Sequence, residues 1–563
     1  MRVTPVFRAI IISFMEPYRD QWILNDLYPK MNLDYCLCVG DQQIPNDKIN
    51  YLDGNKVIAG EYESYVDWHE IPPLDEDVIE SVSFEDVLSF GMIIFRWNDR
   101  SANQSFVEES NFFDYFYNLY FKHLRYWNWF LDTHKINLVV EFSVPHIAFD
   151  NFVYSLCKLK NIKFLSLSWT PLTDRFIWIE DWEKSAVNTY MRYQELLQNK
   201  NGSTIQLSEV MQAHYDRQTH DPNPIPMYTQ TKEWQEYIEP RRKVFSHLDD
   251  AKFIKNLKLQ LKLLNIRLFL KRMIIRLLLP LKPHGSRIKY GFWETLQVKL
   301  KDMDLWLRLI TLDVWLIRRF KNYLILQLRR SQEKLESQRE EILLNLKRLE
   351  LFGFYENHAI EPDLSQKYIY VALHYQPEAT TMPVAGIFAN QLLIVQMLAY
   401  CVPDDVLIYV KEHPNQDAFY RSIKFYQEML AIPNVRLITR KYNTFELTKN
   451  ALAVATATGT VGWEALFKGK PVLMFGHYVY QYAPGVLQIS TIEDCQSAIR
   501  KIIDENFKPD PDKLKLFLQA LEETSFYLPP KDIEQQMENL TNSLVSYLAQ
   551  SSLGNIYVNN HDL

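Results

Sequence analysis

Short apolar runs of strand length recur along two stretches of this chain, and each lies beside a cluster of polar residues. The first stretch holds 9-AIIISF-14, 33-LDYCLCVG-40, 91-GMIIFR-96, 137-NLVVEF-142 and 162-IKFLSLS-168. The second holds 368-YIYVALH-374, 406-VLIYVKEH-413, 435-VRLIT-439, 452-LAVAT-456 and 471-PVLMFG-476. Apolar, β-branched runs with polar loops after them predict parallel α/β sheets that present loops at their carboxyl ends. Helical patterns fill the intervals at 151–161, 388–401, 417–431, 444–451 and 461–469. The strand, helix and strand across 137–168 predict a βαβ unit.

Between the two stretches the pattern changes. Residues 183–215 read as helical, and 217–239 as a Pro- and Asn-rich connector running into a helix. From 251 to 280, Leu and Ile alternate with Lys and Arg at helical intervals until Pro280 and Pro283 break the run. Residues 292–350 predict two or more further helices, the last of them laced with charge. The tail, 511–550, reads as two helices around Pro529 and Pro530, followed by a polar dozen residues. The expected divisions are an α/β domain over 1–240, a basic helical region over 241–360, a second α/β domain over 361–510 and C-terminal helices over 511–550.

Composition narrows the class. A chain of 563 residues exceeds one comfortable core, and 47% hydrophobic with 23% charged residues describes an ordered globular protein. The net charge of -7 argues against a nucleic-acid binder, yet residues 252–289 contain eleven Lys or Arg and no Asp or Glu. Such a basic amphipathic stretch suits an anionic membrane surface, with Trp306 and Trp315 as interfacial anchors, or a helix packed on the adjoining domain with a basic outer edge. No stretch of about 18 uninterrupted apolar residues predicts a membrane span. The first residues lack a long apolar core and cleavage site, so no signal peptide is expected. Five scattered cysteines fit no disulfide framework and point to a reducing compartment. No metal site is expected. Cys36 and Cys38 have no second pair to complete one, and Asp302-Met303-Asp304 lies inside a helical run.

The polar clusters carry the candidate chemistry. In 456-TATGTVGWEAL-466 a strand end meets a small-residue turn and a helix start. Backbone N–H groups there, with the hydroxyls of Thr458 and Thr460, suit a phosphate, and Gly459 and Gly462 permit close approach. Glu464, read as lying in the first helical turn, can accept hydroxyls of a ribose or sugar, or simply favour the helix dipole. At 410-VKEHPNQ-416 the strand-end groups Lys411 and His413 can meet phosphate charge. His374 and Glu378 stand at the end of another strand as base, orienting group or loop stabiliser. In the first domain Glu141, His146 and Asp150 follow one strand, and Asp174, Arg175, Glu180 and Asp181 fall in the segment beyond the next. Carboxylates from separate loops can do acid–base or nucleophilic work.

The succession HYQPEATTMP, VKEHP and TATGTVGWEALFKGKPVLMFG over roughly 365–505 resembles bacterial capsular polysaccharide biosynthesis proteins, a group that includes the β-Kdo glycosyltransferases. That resemblance implies a GT-B-like α/β enzyme: two Rossmann-like domains facing across a cleft, here with a helical basic insertion between them. It implies C-terminal helices crossing back to the first domain. It further implies a nucleotide-sugar donor (CMP-Kdo in Kdo-transferring members), a glycan or glycolipid acceptor, and no cofactor. Carried over by motif, His413 and the loop with Thr458, Gly459, Thr460 and Glu464 would bind the nucleotide, with Lys411 and Glu378 on the same side. His374 and His146 are further cleft candidates, and Asp174 and Glu141 are the chosen catalytic carboxylates. The expected setting is the cytoplasm, at the inner face of the cytoplasmic membrane. The alternatives are a teichoic-acid-type polyol-phosphate transferase using a CDP-activated donor, and a non-catalytic assembly or export component.

Overall fold

The computed structural model describes residues 6–13, 18–40, 44, 46–80, 112–147, 149–199, 205–222, 247, 250–278, 305–376, 378–416, 418 and 421–551. The strand expected at 91–96 and the polar C-terminal dozen lie outside the described residues. The chain divides into two compact units, one of residues 1–237 with 355–563 and the other of residues 238–354.

The first unit contains two sheets. One is built from β1 (Phe7–Ile12), β2 (Leu33–Val39), β3 (Asn50–Leu52), β4 (Leu138–Glu141), β5 (Lys163–Trp169) and β6 (Arg175–Ile179). The second holds β7 (Tyr368–Ala372), β8 (Leu407–Lys411), β9 (Val435–Ile438), β10 (Ala453–Thr456), β11 (Val472–Met474) and β12 (Val486–Gln488). A last short strand, β13 (Phe526–Tyr527), returns to the first sheet. The spatial orders are β13-β6-β5-β4-β1-β2-β3 and β12-β11-β10-β7-β8-β9. From β3 to β6, and again from β9 to β12, this is the doubly wound order of a Rossmann-like fold. The second sheet is parallel throughout, whereas β6 and β13 are antiparallel additions to the first. The fold is therefore α/β with two Rossmann-like halves.

Strand alternation places Ile10 and Ile12 on one face of the first sheet and Ala9 and Ile11 on the other. The former pack in a core with Trp127, Phe149 and Phe152 from the helices Phe112–Thr133 and Phe149–Leu159. The latter face is closed by Trp22 and Trp178 together with Leu540 and Leu544 of the C-terminal helix Ile533–Ser551. Trp22 Nε1 donates to Thr541 Oγ1 at 2.8 Å and Trp178 Nε1 to Ser543 Oγ at 3.0 Å. Both buried indole N–H groups thus find partners on that helix. The two halves share a core in which Tyr193 and Met211 join Trp463, Phe467 and Phe517. Segments beyond β4 and β11 also meet, with Val144 and Tyr478 packed against the cluster of Ile177, Ile179, Ala186 and Val479, and Tyr478 Oη donating to the Trp169 carbonyl at 3.2 Å.

Three local readings change. Residues 292–350 are predicted to form two or more helices; 292–304 lie outside the described residues, and Leu305–His358 is one helix of 54 residues. No Pro or Gly interrupts it before Gly353, whose missing Cβ faces open space. The helical stretch at 183–215 is two helices, Val187–Gln198 and Glu209–His220, the second capped by the Ser208 side chain accepting from Met211 N–H. The polar segment 174–181 encloses a strand, β6, which separates Asp174 from Glu180 and Asp181. Asp181 accepts from Tyr154 and Lys158, and Glu180 from Lys163 and Tyr547. Arg175 reaches the Glu522 carbonyl and Ser525 Oγ, tying the strand to the C-terminal segment.

In the second unit the helix Ala251–Leu278 packs against the long helix Leu305–His358. Partners descend along one helix as they ascend along the other. Leu257 clusters with Leu349, Arg339 donates to Asn265 at 2.8 Å, Arg272 pairs with Glu336 at 2.8 Å, and Lys271 bonds Ser331. The pair is therefore an antiparallel helical hairpin.

Candidate functional site

In a doubly wound sheet ligands bind beyond the strand carboxyl ends where the strand order reverses. In the second sheet that point lies between β7 and β10, and the polar residues singled out in the sequence gather around it. His374, just past β7, accepts at Nε2 from the Thr458 backbone N–H at 3.1 Å and lies 3.3 Å from Thr456 Oγ1. Because a backbone N–H can only donate, the ring proton of the neutral imidazole sits on Nδ1. Burial, with help from His413 and Arg421, pushes the His374 pKa down to about 3, so the ring stays neutral. Gly459 permits this contact: a Cβ there would stand 2.9 Å from Thr456 Oγ1 and 3.0 Å from His374 Nε2.

The helix Thr460–Phe467 starts at this loop with Gly459 as its N-cap residue and no side-chain cap. Thr460 is exposed, whereas Thr458 is buried and donates to the Thr380 carbonyl. Glu378 is half-buried and accepts from Thr380 Oγ1 at 2.8 Å. The loop after β7 and the loop after β10 are thereby laced together.

His413 stands beyond β8. Its Nδ1 accepts from Asn415 N–H at 3.2 Å, which places the proton on Nε2. Burial, then Lys411 and Arg421, lowers its pKa to about 3. It offers a hydrogen bond from a neutral ring, not a positive charge. Lys411 is buried and donates to Thr444 Oγ1 at 3.1 Å, and burial lowers its pKa to about 8.

A buried network that the sequence reading did not assemble holds this floor in place. Arg421 Nε pairs with Glu412 Oε2 at 2.9 Å, both side chains being inaccessible to solvent at the 2% level or below. Glu412 also accepts from Tyr426 Oη and His413 N–H, each at 2.7 Å. Arg421 donates to the His374 carbonyl at 3.1 Å and to the Gln376 side chain. The Gln416 side chain bonds the Gln376 backbone twice, accepting from its N–H at 2.8 Å and donating to its carbonyl at 3.0 Å, and so ties the loops after β7 and β8. The pattern predicts Arg421 inside a helix over 417–431, but the helix begins at Ile423 and leaves the arginine in the preceding segment.

Glu464 departs from its expected position. It is the fifth residue of its helix, beyond the first turn, and is buried near Tyr370, Tyr480 and Lys468. Burial raises its pKa to about 8, opposed weakly by Lys468. A carboxyl group raised in this way favours folding below its unfolded value of 4.5, and that advantage is lost as pH climbs through about 8. Glu464→Gln is therefore expected to flatten the pH dependence of stability. Its advantage over the parent should grow to about 2–4 kcal/mol at alkaline pH, and urea unfolding midpoints at pH 5 and pH 9 check this.

At the corresponding reversal of the first sheet, between β1 and β4, Glu141 is fully buried at the end of β4. Its charged neighbour is Asp150, which accepts from the backbone N–H groups of His146, Ile147 and Asn151 at 2.7, 2.8 and 2.9 Å. Burial raises the Asp150 pKa, opposed by His146, by the Glu141 carboxyl and by these backbone donors. Burial and Asp150 together push Glu141 well above the carboxylate range, so Glu141 is the protonated partner. Ser13 Oγ and both amide atoms of Asn151 are buried without a hydrogen-bond partner among the described residues, while the buried Glu141 carboxyl faces Asp150. His146 Nδ1 lies 2.6 Å from the Val144 carbonyl. Asp174 is elsewhere, in the turn between β5 and β6 with φ of 54°, and its carbonyl accepts from Leu528 N–H.

Comparison with known proteins finds one family match, inside this second half. Residues 383–511 match the family described as capsule polysaccharide biosynthesis protein. Among solved structures, a β-Kdo 2,7 transferase of KpsC from Thermosulfurimonas dismutans is 19% identical over 37% of this chain and 62% of its own, with a TM-score of 0.23. This chain thus spans less than two thirds of that protein. The β-Kdo 2,4 transferase of the same KpsC is 11% identical over 73% of this chain and 87% of its own, at a TM-score of 0.26. A UDP-GlcNAc 2-epimerase from Methanocaldococcus jannaschii is 10% identical over 92% and 99%, at 0.22. A search of curated proteins finds no match.

Proposed function

We propose that this chain is a nucleotide-sugar-dependent glycosyltransferase of bacterial capsular or lipopolysaccharide assembly, working in the cytoplasm at the inner face of the membrane. The observation that supports this most directly is the convergence of His374, His413, Glu378 and the Thr458–Thr460 turn at the strand-order reversal of a sheet in the capsule-biosynthesis segment. The donor's phosphate sits against the N-terminus of the helix Thr460–Phe467, which no side chain caps and where Thr460 is exposed. His413 Nε2–H donates to a phosphate oxygen, and Glu378 takes a hydroxyl of the nucleoside or sugar. A neutral donor set of this kind stabilises the departing phosphate by oriented hydrogen bonds. Glu141, after passing its proton to Asp150, is the first-domain carboxylate that takes the acceptor hydroxyl's proton or bonds the transferred sugar as CMP leaves. The transferred sugar is Kdo, carried as CMP-Kdo, and the acceptor is a glycan or glycolipid.

A binding screen of the full chain against CMP, CDP, UDP, GDP and their sugar conjugates tests this. Selective CMP or CMP-sugar binding is expected, weakened about tenfold or more by His413→Ala, the loss of one hydrogen bond to a charged group. Preference for UDP or GDP would retain glycosyl transfer and remove Kdo. Release of a polyol phosphate with CMP would favour the teichoic-acid-type reaction, and no nucleotide binding would favour a non-catalytic assembly role.

A further inference from the structure

The helix Ala251–Leu278 carries two apolar seams. Leu257, Leu261, Leu264, Leu268 and Ile275 recur at intervals of four, three, four and seven, and all but the half-buried Leu261 are buried. That is the heptad spacing of a helix–helix seam, and it belongs to the packing of the antiparallel hairpin. Leu259, Leu263, Ile266, Leu270 and Met273 repeat the four–three spacing two residues out of step. At about 100° per residue, two residues turn the second seam nearly to the opposite side. Every side chain of that second seam is exposed, and Phe269 and Ile274 beside it are exposed as well.

Charge decides what can cover this face. Lys252, Lys255, Lys258, Lys262 and Arg267 lie exposed along or beside the outer seam, and the helix has no Asp or Glu. A second copy docking the same face on itself would bring these cations together without counter-charges. An anionic bilayer instead offers acyl chains to the leucines and phosphate headgroups to the lysines. Among the described residues no helix is long and apolar enough to cross a membrane, so this contact is one of lying on the surface. We infer that the outward seam of Ala251–Leu278 is a docking face for an anionic lipid surface. The inference adds a specific face to the membrane setting proposed above, but does not depend on the reaction.

The test is co-sedimentation of the full chain with phosphatidylcholine vesicles, with and without phosphatidylglycerol. Binding to the anionic vesicles is expected, falling as salt is raised. The triple variant Leu263→Gln, Ile266→Gln, Leu270→Gln should weaken it about tenfold or more. The triple variant Lys255→Gln, Lys258→Gln, Lys262→Gln, altered only at exposed positions, should remove the preference for anionic lipid. Far-ultraviolet circular dichroism and nucleotide binding should stay unchanged in both, which separates this face from the donor site. Absence of binding to either vesicle overturns the inference. So does self-association in sedimentation velocity that the apolar variant abolishes, because a second copy would then cover the seam.

Discussion

Arg421→Met is expected to lower the stability of the second α/β half by about 3–5 kcal/mol, the cost of leaving a buried charge without its partner. The guanidinium meets Glu412 at 2.9 Å in a site closed to solvent, and the same group holds the His374 carbonyl and the Gln376 side chain. Removing it strands Glu412 and releases the loop that carries His374. Nucleotide binding should therefore fall with stability, although Arg421 is a positioning residue. Lys at 421 would keep the charge but lose the forked donor geometry, and should recover only part of either property. Chemical unfolding of the three proteins, followed with nucleotide titration at a temperature where each is folded, measures both effects. Wild-type stability in the Met variant would show that the network does not hold the floor.

Glu141→Gln should separate stability from catalysis. The parent side chain is already protonated, and a carboxyl group raised in the folded state loses its advantage as pH rises. The isosteric amide escapes that loss, so the variant should be as stable as the parent in acid and more stable at alkaline pH. If Glu141 handles the proton or the sugar in transfer, turnover should drop by about 100-fold or more, with nucleotide binding retained. Asp174→Asn, changed in a turn away from the β1–β4 reversal, should cost far less. Steady-state rates and urea midpoints for both variants provide the check. Loss of turnover in Asp174→Asn alone would exchange the two assignments.

The α/β class and most central strands were legible because β1, β4, β7, β8 and β10 are apolar runs bounded by polar loops, a signal contained within a few residues. The strands β3 and β12 have three residues each and β13 has two, too short to leave a pattern. The strand β6 opens with Arg175 and is followed at once by Glu180 and Asp181, so its charged flanks disguised it as a loop. At the candidate donor site, the motifs identified the loops that meet. Which side chains would be buried was not legible, because that depends on contacts across the sheet. Lys411 and Glu464 read as groups that meet phosphate and sugar hydroxyl, yet both point into protein and have pKa values shifted by burial. Arg421 and Tyr426 reach Glu412 only because the β8 end and the following loop fold together, a pairing no local spacing encodes.

The return of the last segment to the first sheet sets an order of events during synthesis. The edge of β6 is paired by Phe526 and Tyr527, and Trp22 and Trp178 find their hydrogen-bond partners only at Thr541 and Ser543. On the ribosome, the first half must therefore wait with a bare strand edge and an uncovered apolar face while everything from Ile179 to the C-terminal helix is made. Exposed edges and faces of that kind are where nascent chains aggregate. Chaperone demand for this protein should accordingly peak before, not after, its second half has emerged.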